Sequence, residues 1–218
     1  MKKIINIAGN IGVGKSSLVH LLSQRLGWQP FYEPVINNPY LADFYKDMPT
    51  WSFHSQIYFL SHRLSIYHDL ANCTSSVILD RSLYEDAEIF AQNLYLQGNM
   101  SQRDHETYNT LYQTLLKFLP TPDLVVYLHA SVPTLIQRIK MRNRNYERNI
   151  SDKYLAQLNE AYELWIANFN LCPVLTVPSD NLDFVAHSRH MDLITRKIKE
   201  KIAGKEEVVF SPEEYNQI

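Results

Sequence analysis

The 218-residue sequence has little glycine, little cysteine and no long apolar run. Its two cysteines, Cys73 and Cys172, form no CxxC pair, which argues against a disulfide scaffold or a cysteine zinc site and favours a cytoplasmic location. A membrane-spanning helix needs about 20 consecutive apolar residues, and no such run occurs. Because 21 Lys and Arg residues oppose 23 Asp and Glu residues, there is no basic excess to hold a nucleic acid or an anionic membrane, and we expect neither partner.

The composition that remains is that of one globular domain. Hydrophobic residues make up 45% and charged residues 20% of the chain, which excludes wholesale disorder. Short apolar segments alternate with stretches of helical periodicity, and this alternation predicts an α/β fold with a doubly wound parallel sheet. The predicted strands cover residues 3–8, 29–32, 76–80, 124–128 and 174–177. The main predicted helices cover residues 51–71, 84–97, 103–118 and 191–202.

Glycine is scarce but concentrated, since three of the six glycines, Gly9, Gly12 and Gly14, lie within six positions. With Lys15 and Ser16 they complete the pattern Gly-x-x-x-x-Gly-Lys-Ser, after an apolar strand and before an amphipathic helix. Glycines let backbone N–H groups approach phosphate oxygens, the lysine reaches the β- and γ-phosphates, and the serine ligates Mg²⁺. The pattern therefore predicts a nucleoside triphosphate site, and the alternative is a glycine-rich turn that binds nothing.

Charged residues follow two further predicted strands. Glu33 lies just beyond the second strand, and Asp80 and Arg81 end the third. In a doubly wound sheet the carboxyl ends of the strands line the crevice that binds ligands, so these side chains are expected to face the phosphate loop. Alternatively, Glu33 is a solvated loop acid and the Asp-Arg pair is a surface salt bridge of little energetic value.

Five more motifs follow the phosphate loop in a fixed order. They are Glu33-Pro34-Val35, Asn38-Pro39-Tyr40-Leu41 with Phe44-Tyr45, Trp51-Ser52-Phe53-x-x-Gln56, Asp80-Arg81-Ser82-x-Tyr84-Glu85-Asp86 and Arg142-x-Arg144-x-x-Glu147. With these motifs, over residues 3–178, the sequence resembles the deoxyribonucleoside kinases, and among them the bacterial deoxyadenosine and deoxyadenosine/deoxycytidine kinases. The resemblance implies a P-loop kinase fold with five parallel strands and an arginine-rich lid. It also implies ATP-dependent phosphorylation of a deoxyribonucleoside 5′-hydroxyl in nucleotide salvage, with deoxyadenosine as the first choice and deoxycytidine or deoxyguanosine as others.

The resemblance assigns roles on the acceptor side. Glu33 takes the proton from the 5′-hydroxyl, and Arg81 and Lys15 complete the catalytic set. The sugar 3′-hydroxyl is held by Tyr45 and Glu147. The remaining substrate contacts that the resemblance implies, around the base, are Gln56, Arg63, Asp86 and Phe90.

The resemblance assigns ATP and Mg²⁺ to the donor side. The implied ATP contacts are the loop residues Gly9, Asn10, Ile11, Gly12, Val13, Gly14, Lys15, Ser16 and Ser17, the lid arginines Arg138, Arg142 and Arg144, to which Arg148 is added, and Asp180 and Phe184 near the adenine. The implied metal ligands are Ser16 and Asp80. Animal members of the family carry glutamate at the position of Asp80, so this shorter acid can reach Mg²⁺ directly or through water. They also carry tryptophan where this chain has Asn38, so the base pocket is expected to differ.

No interdomain linker appears, and the last residues are polar, so we expect one kinase domain over residues 1–218 with a flexible tail at about 204–218. The resemblance further implies a lid at about 138–150 and a homodimer. Two other functions fit the phosphate loop alone. A nucleoside monophosphate kinase of the thymidylate kinase type would bind an anionic acceptor, which Glu33 would repel. A regulator that binds nucleotide without catalysis would have no use for a base aimed at a hydroxyl.

Overall fold

The computed structural model describes residues 2–33, 38–147 and 150–216. Five parallel strands form one sheet in the order β2-β3-β1-β4-β5. The strands are β1 (Ile4–Gly9), β2 (Gln29–Phe31), β3 (Val77–Asp80), β4 (Leu124–His129) and β5 (Val174–Pro178). This order confirms the predicted doubly wound sheet. Pro34 and Val35 of the second motif, and Arg148 of the predicted lid, lie outside the described residues.

Helices cover both faces of the sheet. They are α1 (Lys15–Leu26), α2 (Leu41–Phe44), α3 (Met48–Asn72), α4 (Leu83–Glu85), α5 (Gln92–Leu96), α6 (Gln102–Leu116), α7 (Val132–Arg142), α8 (Asp152–Asn168), α9 (Ser188–Ile202) and α10 (Pro212–Asn216). A π-helical turn (Asp86–Ala91) joins α4 to α5, and a 3₁₀ turn (Asn145–Glu147) follows α7. In the described part of the chain, none of the helices combines the length and the apolar character that crossing a bilayer requires.

The central strands form the middle of the core because helices cover them on both sides. Every residue of β1 and β3 is buried, as is all of β4 except its last residue. The edge strands β2 and β5 are partly exposed. Parallel strands buried on both faces are expected to appear in the sequence as continuous apolar runs, and this pattern allowed the strands to be predicted.

The segment predicted as one helix over 84–97 is instead interrupted by the π-helical turn. Its start is fixed by a capping box, in which the Ser82 hydroxyl accepts from the Glu85 backbone and the Glu85 carboxylate accepts from the Ser82 backbone. The π-helical turn that follows carries Asp86 and Phe90, two of the predicted substrate contacts. Apolar periodicity does not reveal a single widened turn, so a continuous helix was the wrong prediction here.

The C-terminal segment, predicted to be a flexible tail, packs against α9 and the core. Val208 is buried, and Phe210 and Tyr215 contact the core. Glu214 Oε1 lies 2.7 Å from Lys197 Nζ, which joins α10 to α9. Apolar side chains and an ion pair thus attach this segment to the rest of the fold. Its polar sequence alone had suggested a free tail.

Candidate functional site

The phosphate loop joins β1 to α1 and surrounds the Lys15 side chain. Lys15 is buried, and its ammonium group donates to the backbone carbonyls of Gly9 (2.8 Å) and Asn10 (3.0 Å). Burial lowers the pKa of the Lys15 ammonium to about 8, and the nearby Arg81 guanidinium adds to this effect. The loop thus holds a desolvated cation, which an anionic phosphate would stabilise in its charged form.

Two glycines of this loop are required by close packing as well as by backbone conformation. Gly9 has φ +143°, and a Cβ there would lie 2.6 Å from the Leu128 carbonyl oxygen. Gly12 has φ +85°, and a Cβ there would lie 2.7 Å from Ile139. Any larger residue would push the loop away from β4 and α7, so the loop is held tightly against its supports.

Side chains from outside the loop also fix its shape. The Asn10 amide donates to the Leu155 carbonyl and to the Asn159 side chain of α8, at 2.9 and 2.7 Å. The Arg138 guanidinium donates to the backbone carbonyls of Val13 (2.8 Å) and Ser179 (2.7 Å). Two of the predicted ATP contacts, Asn10 and Arg138, therefore also brace the loop.

Ser16 and Asp80 meet at the entrance to the loop, as a shared metal site would require. The Ser16 hydroxyl donates to Asp80 Oδ2 at 2.5 Å, while the buried Oδ1 has no partner in the part of the chain that the structure describes. Burial raises the pKa of the Asp80 carboxyl, and Lys15 opposes that rise. No group of three or more His, Cys, Asp or Glu side chains among the described residues could hold a metal ion, so any Mg²⁺ here would take its other ligands from phosphate and water.

Glu33 and Arg81 form a buried ion pair beside the phosphate loop. Arg81 Nε lies 2.7 Å from Glu33 Oε1, and Arg63 lies 3.9 Å from the same oxygen. Burial alone would raise the pKa of the Glu33 carboxyl, but Arg81, Lys15 and Arg63 outweigh burial and hold it below its ordinary value. Glu33 is therefore ionised at neutral pH. Neither alternative, the solvated loop acid or the surface salt bridge, fits this geometry.

Arg81 adopts a backbone conformation that is uncommon for a residue with a side chain, with φ +69°. Its guanidinium carbon lies 4.2 Å from the centre of the Phe90 ring, so Phe90 contacts the arginine as well as lining the cavity. Arg63 donates from Nη1 to the carbonyl of Arg81 at 2.9 Å and to that of Asp80 at 3.1 Å. Arg63 thereby supports the strained turn, since strain of this kind persists only where neighbours enforce it.

A cavity of about 560 Å³ extends from the phosphate loop to α3. Most of the predicted site residues line it, namely Ile11, Gly12, Val13, Gly14, Lys15, Ser16, Ser17, Glu33, Tyr45, Gln56, Arg81, Asp86, Phe90, Arg138, Arg142, Arg144, Glu147 and Phe184. Gly9, Asn10, Arg63 and Asp80 are buried directly behind this lining. The structure thus brings together residues that the sequence spreads over more than half of the chain.

At the α3 end, the cavity lining includes the polar residues Gln56 and Asp86. Gln56 is buried, and its Oε1 atom has no partner within the described residues. Asp86 accepts from Arg63 Nε at 3.0 Å. Burial raises the pKa of the Asp86 carboxyl to about 6, against the opposing effect of Arg63. A free amide oxygen and a carboxylate are suited to the edge of a nucleobase, which carries donors and acceptors in one plane.

At the α7 end, Glu147 is buried and paired with two arginines. Its carboxylate accepts two hydrogen bonds from Arg142, each 2.6 Å long, and Arg144 lies 3.5 Å from Oε1. Tyr45 also lines the cavity here, and its ring stacks on that of Tyr146 at 6.5 Å. Glu147 therefore links the predicted lid arginines to the predicted sugar site.

Asp180 and Phe184 were predicted together, but the structure separates them. Phe184 is buried, lines the cavity and packs against Gly14, where a Cβ would lie 3.2 Å from the ring. Asp180 does not line the cavity, because its carboxylate accepts hydrogen bonds from the Ser131 backbone (2.9 Å) and hydroxyl (3.1 Å) at the start of α7. Contact between Asp180 and nucleotide therefore stays a prediction, whereas Phe184 lies in the cavity lining.

Sequence reasoning missed several residues that line the cavity or support it. Five such residues line the cavity, namely Leu41, Phe44, Phe59, Met141 and Tyr154. Leu41 and Phe44 were quoted in a motif without a role, and nothing in the local pattern of the other three marks them as cavity residues. Phe59 follows Gln56 by three positions on α3, and this helical spacing was a usable signal. Glu85 was quoted in a motif without a role, although its carboxylate accepts from the Gly9 backbone at 3.1 Å.

Comparison with known proteins agrees with this geometry. The family model for deoxynucleoside kinase matches residues 5–203. A deoxyadenosine/deoxycytidine kinase of Bacillus subtilis is 38% identical over 89% of this chain and 91% of its own. A deoxyguanosine kinase of the same bacterium is 35% identical over 91% of this chain and 97% of its own. The solved structure of a deoxyadenosine kinase from M. mycoides, with dCMP and a flexible dCDP bound, has a TM-score of 0.81 at 35% identity and covers 90% of this chain and 99% of that one.

Proposed function

The chain belongs to the deoxynucleoside kinase family and is a phosphotransferase of nucleotide salvage, and we propose that it transfers the γ-phosphoryl group of ATP to the 5′-hydroxyl of deoxyadenosine. The observation that carries the choice of a hydroxyl acceptor is the position of Glu33. It is an ionised carboxylate in the cavity that also contains Lys15 of the phosphate loop. A carboxylate at this place can accept the proton of an uncharged alcohol, whereas it would repel an acceptor that is already a phosphate.

Several charged groups would stabilise the transferred phosphoryl group. Phosphoryl transfer depends mainly on positioning and on neutralising charge, and Lys15 and Arg81 supply two fixed cations beside Glu33. Glu33 withdraws the hydroxyl proton, while Arg81 holds the Glu33 carboxylate in place. A carboxylate with a lowered pKa is a weaker base. Glu33 therefore contributes by orienting the hydroxyl and by accepting its proton at a late stage of transfer.

The residues at the loop entrance fit a magnesium ion. Ser16 and Asp80 would hold it, because the buried Asp80 Oδ1 lacks any partner among the described residues and hard oxygen ligands are what Mg²⁺ prefers. When bound, the ion would supply positive charge that neutralises the phosphates. Burial raises the pKa of the Asp80 carboxyl, and the charge of a bound Mg²⁺ would favour its ionised form.

The proposed lid covers about residues 138–150, in which Arg142 and Arg144 would pair with the phosphates of ATP. Both lie at the cavity, and both are joined to Glu147, the proposed ligand of the sugar 3′-hydroxyl together with Tyr45. Phosphate binding would draw the arginines from Glu147 and free its carboxylate for the sugar. The planar guanidinium suits this exchange because it can pair with carboxylate or phosphate oxygens.

The base preference for deoxyadenosine rests on the small polar wall of the cavity and on the relatives. Ser55 lines the cavity, and the buried Asn38 amide donates to its hydroxyl at 3.3 Å. Similarity to a deoxyadenosine/deoxycytidine kinase and to a deoxyadenosine kinase supports adenine as the base of the substrate. Similarity to a deoxyguanosine kinase makes guanine the second purine to test.

We also propose a homodimer in the cytoplasm, acting as one kinase domain without a nucleic acid or membrane partner. Helices α3 and α6 pack together, and each exposes a leucine, Leu64 and Leu111, while Phe118 just beyond α6 is 79% exposed. Apolar side chains on adjacent helices suit a self-complementary interface. Light scattering on the purified protein, with Phe118→Glu as the disrupting variant, tests the dimer.

The central experiment is a kinase assay with ATP, Mg²⁺ and each of the four deoxynucleosides, with deoxyadenosine monophosphate as a further acceptor. We expect the highest kcat/KM for deoxyadenosine and release of one ADP per nucleoside phosphorylated. Preferential turnover of the monophosphate would instead establish a monophosphate kinase. ATP binding without any nucleoside-dependent ADP release would establish a regulator.

A further inference from the structure

Tyr162 of α8 contacts two parts of the proposed active site, Arg81 and the phosphate loop. Its hydroxyl accepts a hydrogen bond from Arg81 Nη1 at 2.7 Å. The same hydroxyl lies 2.8 Å from the Gly9 carbonyl oxygen and 2.8 Å from Glu85 Oε1, and it donates its single proton to one of these acceptors at a time. One phenol oxygen therefore joins the catalytic arginine to the first glycine of the phosphate loop.

These contacts involve groups with proposed roles toward both substrates, ATP and the nucleoside. The Gly9 carbonyl also accepts from the Lys15 ammonium, and the Gly9 N–H donates to Glu85. Arg81 in turn uses its Nε atom for Glu33, so its Nη1 contact with Tyr162 fixes the second edge of the guanidinium. A guanidinium held at two edges on a strained backbone has one orientation, whereas one held at a single edge can rotate.

Tyr162 itself is fully buried and does not line the cavity, so it cannot touch either substrate. Its ring is held independently of its hydroxyl, by stacking on Tyr127 at 5.6 Å and by edge contacts with Phe90 and Trp165. The hydroxyl therefore has a function separable from the packing of the ring.

We propose that Tyr162 is a positioning residue for phosphoryl transfer, which aligns Arg81 with the phosphate loop through its hydroxyl group. The inference rests on the proposed role of Arg81. Without the hydroxyl, Arg81 remains paired with Glu33, but its Nη1 loses its 2.7 Å hydrogen bond and keeps the longer ion-pair contact with Glu85 Oε1 at 3.7 Å. The charge that stabilises the transferred group is then held less firmly where transfer occurs. The ring left by Tyr162→Phe can still pack against Phe90, so binding of the nucleoside base is left intact.

The test compares Tyr162→Phe with the wild-type enzyme and with Tyr127→Phe, a matched control that removes a hydroxyl from the ring stacked on Tyr162. We expect Tyr162→Phe to lower kcat about 10- to 100-fold while the nucleoside KM stays within about twofold, and Tyr127→Phe to behave as wild type. All proteins are assayed well below the lowest of their melting temperatures, so a loss of stability does not enter the rates.

A double-mutant cycle separates positioning from general packing. Arg81→Lys keeps the charge but removes the guanidinium edge that reaches Tyr162. If Tyr162 acts through Arg81, adding Tyr162→Phe to Arg81→Lys causes no further loss of kcat. An unchanged kcat in Tyr162→Phe, or losses that multiply in the double variant, would overturn the proposal. A wild-type enzyme without kinase activity would instead overturn the proposed function.

Discussion

Arg81 Nε lies 2.7 Å from Glu33 Oε1, so the acid that follows β2 and the arginine that ends β3 form one buried ion pair. The charges of Arg81, Lys15 and Arg63 together explain why this acid stays ionised, because they exceed the cost of its burial. It also ties the proposed general base to the proposed phosphoryl-stabilising group. Changes at either residue are therefore expected to affect the chemical step more than binding.

The first prediction concerns Glu33→Gln. The amide keeps the size of the side chain but cannot take the hydroxyl proton, so we expect kcat to fall about 100-fold or more while the nucleoside Kd stays within about threefold. Steady-state kinetics and isothermal titration with deoxyadenosine measure the two quantities. Glu163→Gln, at an exposed acid of α8, is the matched control. Retention of wild-type kcat would remove Glu33 from the role of base.

The second prediction concerns Lys15→Ala. Because the Lys15 ammonium is the cation that the loop encloses, its loss should cost phosphoryl transfer about 100-fold or more and weaken ATP binding. Deoxynucleoside binding measured without ATP should change little. Lys46→Ala, on an exposed lysine, serves as the control. Equal losses in nucleoside and ATP binding would indicate that Lys15 supports the fold of the cavity as a whole.

Local sequence patterns were enough to predict the phosphate loop and the residues at the strand ends. They were not enough to predict the side chains that support those residues. The glycines, Lys15 and the preceding strand are contiguous in sequence, and a strand end places Asp80 and Arg81 at the crevice of any doubly wound sheet. The bracing contacts of Arg138 join residues 125 and 41 positions apart, which no local pattern encodes. Tyr162 has the helical spacing of a core residue, so its polar role becomes visible only in three dimensions.

The third prediction concerns Gln56→Ala on α3. The buried Gln56 Oε1 has no partner among the described residues, so a base is expected to supply one. Removing the amide should leave donor groups of the base unpaired and raise the nucleoside KM about 10-fold or more, with a smaller effect on kcat. Gln113→Ala on the exposed surface of α6 controls for loss of a glutamine from a helix. An unaltered KM would contradict contact between Gln56 and the base.

The fourth prediction is a pH dependence of nucleoside binding. Burial raises the pKa of Asp86 to about 6, so this carboxyl is ionised above that pH and becomes protonated as the pH falls through it. The ionised form accepts hydrogen bonds from the amino group of a base, and kcat/KM for deoxyadenosine should therefore decline below about pH 6. Glu33 titrates lower, because its pKa is held below the ordinary value. Asp86→Asn should remove this decline, and a variant that keeps the same acid limb would assign it to another group.

The last prediction separates two arginines of the proposed lid. Arg138 donates to the carbonyls of Val13 and Ser179, and leaving these unpaired in Arg138→Ala costs about 1–3 kcal/mol, or a Tm lower by roughly 3–10 °C. Arg144 is one-third exposed, and its ion pair within the described part of the chain is the 3.5 Å contact with Glu147, so Arg144→Ala should leave Tm within about 2 °C and raise the KM for ATP.

Thermal unfolding and ATP kinetics on both variants decide between bracing and direct phosphate contact. Bracing by Arg138 requires Tm and ATP affinity to fall together, because the loop that binds phosphate is the element that loosens. If Arg138→Ala instead keeps its Tm and loses only ATP affinity, Arg138 leaves the backbone carbonyls when ATP binds and contacts phosphate directly, as the family resemblance implies. The two arginines would then act alike, despite the different contacts that they make in the described structure.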